Sequence, residues 1–171
     1  MKFFLILTIA ALLAAPVVCM QANQDSGAAA QLKSLPALKL QDFNGKPVAS
    51  DNFKGNIVVL DFWATWCVPC IGEIPTLNRL QQKYGEKGLK VVGVTLQSGE
   101  AKEVKPFVGS KGMKYTILMG DDEQMYDLNL FAFPTTYLLN RDLKVVRIYL
   151  GAGPKKAAEM EADIQTLLGA S

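Results

Sequence analysis

The chain has 171 residues, 50% hydrophobic and 20% charged, which fits one globular domain and excludes collagen-like, low-complexity and wholly disordered chains. Lys and Arg number 18 against 16 Asp and Glu, and a net charge of +2 gives no field that would favour nucleic acid. Histidine is absent, which removes Ser-His-Asp and Cys-His catalysis and His-ligated zinc or haem. Three cysteines, Cys19, Cys67 and Cys70, are left to carry chemistry.

Residues 1–19 read as a signal peptide or a membrane or lipid anchor. Lys2 precedes an apolar run from Phe3 to Ala15. The run is short of the roughly 20 apolar residues of a membrane span, unless it continues through Pro16 to Met20. Cys19 directly follows the leader and resembles the lipid-attachment cysteine of bacterial lipoproteins, although Val18 stands where a small residue is usual. Lipidation at Cys19, an uncleaved anchor and ordinary cleavage all stay open. Each leaves the rest of the chain outside the cytoplasm, where disulfides persist, and the first two join it to the membrane through its N-terminus. Residues 20–35, rich in Gln, Ala, Ser and Asn, read as a flexible tether.

The folded domain is expected over 36–171. Asn44-Gly45 between Leu38-Lys39-Leu40 and Lys46-Pro47-Val48 predicts a β-hairpin. Ile57 to Trp63, IVVLDFW, is continuous in β-branched, apolar and aromatic residues and predicts a strand buried on both faces. A helix follows over 68–84, with Ile71, Ile74, Leu77 and Leu80 on one side. Leu89 to Leu96 is a second buried strand, Glu100 to Ser110 a helix, Tyr115 to Met119 a short strand and Asp122 to Leu128 a short helix. Pro134 to Leu139 and Leu143 to Leu150 pair across Asn140-Arg141-Asp142. Pro154 opens a last helix that buries Met160, Ile164, Leu167 and Leu168. Lys155 and Lys156 fall in its first turn, where exposed cations oppose the helix dipole by about 0.3–1 kcal/mol each. The order is that of an α/β fold with an antiparallel end.

The densest cluster is DFWATWCVPC, Asp61 to Cys70. A C-x-x-C that leaves a strand and opens a helix puts its first sulfur among unpaired backbone N–H groups, which stabilise a thiolate. Cys67 is then the nucleophile, and Cys70, one turn into the helix, resolves the mixed disulfide from short range. Zinc would need four ligands, and the count of Cys and His falls short. A purely structural disulfide would close too small a loop to constrain the unfolded chain much. The chemistry expected is therefore a redox-active Cys67–Cys70 disulfide with no metal and no other cofactor.

WCVPC after VVLDF, Pro75 in the following helix, and Phe133-Pro134-Thr135-Thr136 before a late strand resemble the thioredoxin superfamily. The similarity is greatest to its TlpA/ResA-like branch of exported thiol–disulfide oxidoreductases, and it covers roughly residues 36–168. It implies a thioredoxin fold: a central mixed β-sheet flanked by helices, with an N-terminal hairpin and a central αβ insertion between Leu96 and Asp127. It implies further that Pro134 is the family's cis-proline beside the sulfurs. Phe133 would then offer its backbone to a substrate strand, on a surface shared with Trp66, Val68 and Pro69. Asp61 matches the buried acid of cytoplasmic thioredoxin and is a candidate proton acceptor for Cys70; desolvation in an apolar strand would raise its pKa. Glu73 matches an acid the branch often carries three residues after the second cysteine, and is a candidate for tuning thiol ionisation.

Two positions depart from the family. Phe133 replaces a smaller or β-branched residue, and Asn140-Arg141-Asp142-Leu143 lacks the usual hairpin glycine. Val68-Pro69 brings no positive charge between the sulfurs. This favours a potential nearer about −270 mV than about −120 mV, and so a protein-disulfide reductase. The resemblance implies partners among protein thiols and disulfides of the cell envelope, such as the apocytochrome c or metal-site assembly factors that relatives act on. A transmembrane thiol reductase would be the electron donor. An oxidase or isomerase of the same fold is the alternative, together with a non-catalytic binding module. A peroxiredoxin would need Thr where Ala64 stands.

Overall fold

All seven residues of Ile57–Trp63 (β3) are buried, and the molecule is arranged around that strand. The computed structural model describes residues 34–169. The leader, Cys19 and all but the end of the tether lie outside the described residues. A small hairpin, Leu40–Gln41 (β1) and Pro47–Val48 (β2), comes first. Its turn closes by the Asp42 amide donating to Lys46 O at 2.9 Å, with Gly45 at φ 77. That left-handed angle is the reason glycine follows Asn44. After β3 come Val68–Tyr84 (α1), Leu89–Thr95 (β4), Ala101–Ser110 (α2), Thr116–Gly120 (β5) and Gln124–Asp127 (α3). Thr135–Leu139 (β6), Val145–Leu150 (β7) and Pro154–Gly169 (α4) complete the fold.

The seven strands form one mixed sheet in the order β2-β1-β5-β4-β3-β6-β7. β4 runs parallel to both β3 and β5, while β6 pairs antiparallel with β3 and with β7. One face packs Ile57, Val59 and Trp63 against Leu77, Leu80 and Tyr84 of α1, Val104 of α2, and Met160 and Ile164 of α4. The opposite face packs Val58, Leu60 and Phe62 with Val92, Val94, Tyr137 and Leu139, under Leu38, Leu128 and Leu130. The expected α/β architecture, hairpin and central insertion included, is what the chain adopts.

Three local features differ from the expectation. A one-turn 3-10 helix, Ser50–Phe53, links β2 to β3. β6 starts at Thr135 rather than Pro134, since proline has no N–H to give a ladder. β7 starts at Val145 rather than Leu143. There Asn140 Oδ1 accepts from the amides of Asp142 (3.1 Å) and Lys144 (2.9 Å), and Leu143 takes the left-handed conformation at φ 59. Leu143 thus occupies the conformation a hairpin glycine would hold, and its buried side chain offsets the strain.

Candidate active site

The site forms where β3 ends and α1 begins. Cys67 is the N-cap of α1, in extended conformation at φ −80 and ψ 98, and its sulfur accepts from the Cys70 amide at 3.2 Å. Val68 and Pro69 follow as the first helical residues. Proline is accommodated there because those amides have no intrahelical partner. Cys67 and Cys70 are joined in a disulfide with their Cα atoms 5.3 Å apart. Both sulfur-bearing residues are buried, while Trp66 is 60% and Val68 76% exposed. The loop carrying them is tied to the one after β4. The Thr65 amide donates to Ser98 Oγ, and Trp66 Nε1 donates to Gln97 O, both at 2.9 Å. The Trp66 ring meets Phe133 edge-on at 5.8 Å between centroids. The Phe133–Pro134 peptide is cis. Phe131, two residues before Phe133, is 87% exposed.

A buried polar cluster lies on the face of β3 that carries Val59 and Trp63, which pack in one core layer with Cys67 and Cys70. Thr136 of β6 sits opposite Asp61 of β3 in the antiparallel register, and its hydroxyl donates to Asp61 Oδ1 at 2.6 Å. Lys156 of α4 donates to Thr136 Oγ1 at 2.7 Å, to Glu73 Oε2 of α1 at 2.8 Å and to Gly151 O at 2.7 Å. Asp61, Glu73 and Lys156 are all buried, at 2%, 4% and 8% exposure. Burial pushes the Asp61 carboxyl up to about 7; the Glu73 charge adds to this, and Lys156 and the Thr136 hydroxyl oppose it. Burial also raises Glu73, against the pull of Lys156. Tyr115, just before β5, is pushed well above the ordinary phenol range by burial and then by the charges of Asp61 and Glu73.

Sequence reasoning missed Lys156 and Thr136. Of the two lysines expected as exposed first-turn cations, Lys155 fits, with its side chain 92% exposed. Lys156 does not, because its ammonium turns inward to a carboxylate, a hydroxyl and a carbonyl. The one signal was its unfavourable place at a helix start. A buried pair of this kind is weak evidence for stability, since desolvating both charges offsets most of their attraction. Its link through Thr136 to Asp61, on the sheet face that also packs Cys67 and Cys70, is the more informative observation. Among the described residues, no three or more His, Cys, Asp or Glu side chains gather as a metal site.

A protein-family profile described as Redoxin matches residues 30–168. The thioredoxin-like protein YneN of Bacillus subtilis is 34% identical over 131 residues, covering 75% of this chain and 76% of its own. The thiol-disulfide oxidoreductase ResA of Bacillus anthracis is 32% identical over 128 residues, 74% of this chain and 73% of its own. A solved Chlorobium tepidum structure, provisionally identified as the thiol:disulfide interchange protein DsbE, is similar at TM-score 0.73. It is 29% identical and covers 80% of this chain and 96% of its own.

Proposed function

We propose a function on this premise: the chain belongs to the Redoxin family and is a thiol–disulfide oxidoreductase of the ResA type. It acts as a reductant of disulfides in other proteins of the cell envelope, on the outer side of the cytoplasmic membrane. Its N-terminus tethers it there, through the apolar leader or a lipid on Cys19. The observation that carries the reading is the seat of the Cys67 sulfur on the Cys70 amide in the first turn of α1, where a thiolate is stabilised by a backbone N–H and the helix dipole.

In the reduced protein the Cys67 thiolate attacks one sulfur of a substrate disulfide. A bond forms between them, and the other substrate sulfur leaves as a thiolate. Cys70 then gives its proton to Asp61 and attacks the Cys67 sulfur. The Cys67–substrate bond breaks and the second substrate thiolate leaves. Two electrons have passed to the substrate, and the Cys67–Cys70 disulfide remains. A transmembrane thiol reductase returns the electrons, and no metal or organic cofactor takes part. A carboxyl titrating at about 7 is suited to take a proton near neutral pH. Glu73 tunes that acid and the dithiol above it. Trp66, Val68, Pro69, Phe133 and Pro134 form the substrate-facing surface, apolar and half open, and it suits an extended segment around the target cysteine.

Trapping tests this reading. A Cys70→Ala variant should accumulate mixed disulfides through Cys67 with envelope proteins, and mass spectrometry would name the partners. Absence of such adducts, together with full insulin-reducing activity in Cys67→Ala, overturns it.

A further inference from the structure

At rest the donors of the buried cluster run from Lys156 through Thr136 to Asp61. Lys156 Nζ has three protons and three acceptors, Glu73 Oε2, Thr136 Oγ1 and Gly151 O. Thr136 accepts from Lys156, so its single hydroxyl proton is left for Asp61 Oδ1. Four side chains from four elements, β3, β6, α4 and α1, thereby form one unbroken chain of hydrogen bonds. Its far end is incomplete. Glu73 Oε1 is buried with no hydrogen-bond partner among the described residues. Glu73 also lines a cleft of about 270 Å³ between α1 and the start of α4. Gly72 and Thr76 wall it on one side, and Gly153, Pro154 and Ala157 on the other. None of the substrate-facing residues contributes to it.

This arrangement answers a difficulty in the reaction. A protein substrate seated on Trp66 and Phe133 excludes water from the dithiol at the moment Cys70 must lose its proton. We propose that Asp61, Thr136, Lys156 and Glu73 form a proton relay from the dithiol to the α1–α4 cleft, so that the proton of Cys70 leaves behind the docked substrate. The relay rests on the reading of Asp61 as proton acceptor. Once Asp61 is protonated, Lys156 first passes one proton to Glu73; the lone pair this frees takes the proton of the Thr136 hydroxyl, turned from Asp61 toward Lys156, and the Thr136 oxygen takes the proton of Asp61. Thr136 and Lys156 each gain and lose one proton and end as they began. Asp61 is an anion again, and Glu73 releases the proton to water in the cleft. Tyr115 faces both acids but stays a neutral phenol and carries none of the traffic.

The test compares a substrate that covers the dithiol with one that does not. Lys156→Met leaves Glu73 buried without its counter-ion and endangers the fold, so Thr136 is the better probe. In single-turnover oxidation of the reduced full chain, Thr136→Val should slow the Cys70-dependent step about tenfold or more with insulin. With glutathione disulfide it should change the rate less than about twofold, because that disulfide leaves a direct path to water. Thr136→Ser should restore the insulin rate. Gly72→Leu should also slow insulin selectively; a Cβ there meets nothing within 4 Å, and leucine is the better helix former. Equal slowing of both substrates, or of neither, overturns the relay. A wild-type rate that does not depend on Cys70 overturns instead the dithiol reading on which the relay stands.

Discussion

The two faces of β3 are equally buried and built from different material. Val58, Leu60 and Phe62 look into an apolar layer with Val92, Val94, Tyr137 and Leu139. Val59, Asp61 and Trp63 look the other way, and there the same strand carries a carboxylate linked to a threonine, a lysine and a glutamate. One register shift would exchange the faces, so the alternation of β3 keeps the redox chemistry apart from the cohesive layer. The comparison teaches that one face holds the sheet together and the other gives up stability to hold charge near two sulfurs.

If that division is right, the two faces respond oppositely to substitution. Phe62 is fully buried and meets Tyr137 edge-on at 5.4 Å between centroids. Phe62→Ala should cost about 3–5 kcal/mol in urea unfolding and leave the pH dependence of stability unchanged. A change in that dependence would break the division. Asp61→Asn should do the reverse. The folded state raises Asp61 from 3.8 to about 7, which at about 1.4 kcal/mol per pH unit corresponds to about 4 kcal/mol. Between those values the fold holds a proton that the unfolded chain has lost, so wild-type stability falls as pH rises through the window. Asp61→Asn should therefore gain about 3 kcal/mol at pH 8 and nothing near pH 3; the gain is less than the full amount because Lys156 loses an anion. Equal gains at both pH values would contradict it.

The smallest effect is expected at the rim, where Glu161 of α4 accepts from Arg79 (2.7 Å), Lys83 (2.9 Å) and the Tyr84 hydroxyl (2.9 Å) of α1. Lys83 and Arg79 together hold its carboxyl down at about 2. Stability from this cluster is present above about pH 4.5 and lost as pH falls through about 2. Both cations are about half exposed, so Glu161→Gln should cost only about 1 kcal/mol at neutral pH, and less at high salt. A salt-independent loss several times larger would mean that this rim behaves like the interior.

Much of the fold was legible because its signals are local. IVVLDFW has no polar break except Asp61, Asn44-Gly45 fits its turn, and the apolar spacing of α1 marks its buried side. The two cysteines were legible for the same reason, being three residues apart at a strand–helix junction. The cluster beneath them was not. Lys156 and Glu73 are 83 residues apart, and their pairing leaves no period in the sequence. A lysine in a first helical turn reads as solvated until the packing of α4 on α1 turns it inward. Leu143 was hidden by its type, since leucine seldom takes a left-handed angle.

α4, only 16 residues long, reaches α1 through Lys156 near its start and through Glu161 further along. During synthesis the paired cysteines leave the ribosome more than 80 residues before Lys156 does. A nascent chain therefore holds both thiols while Glu73 still lacks its cation. Only completion of the C-terminal helix converts an early thiol pair into a finished catalyst.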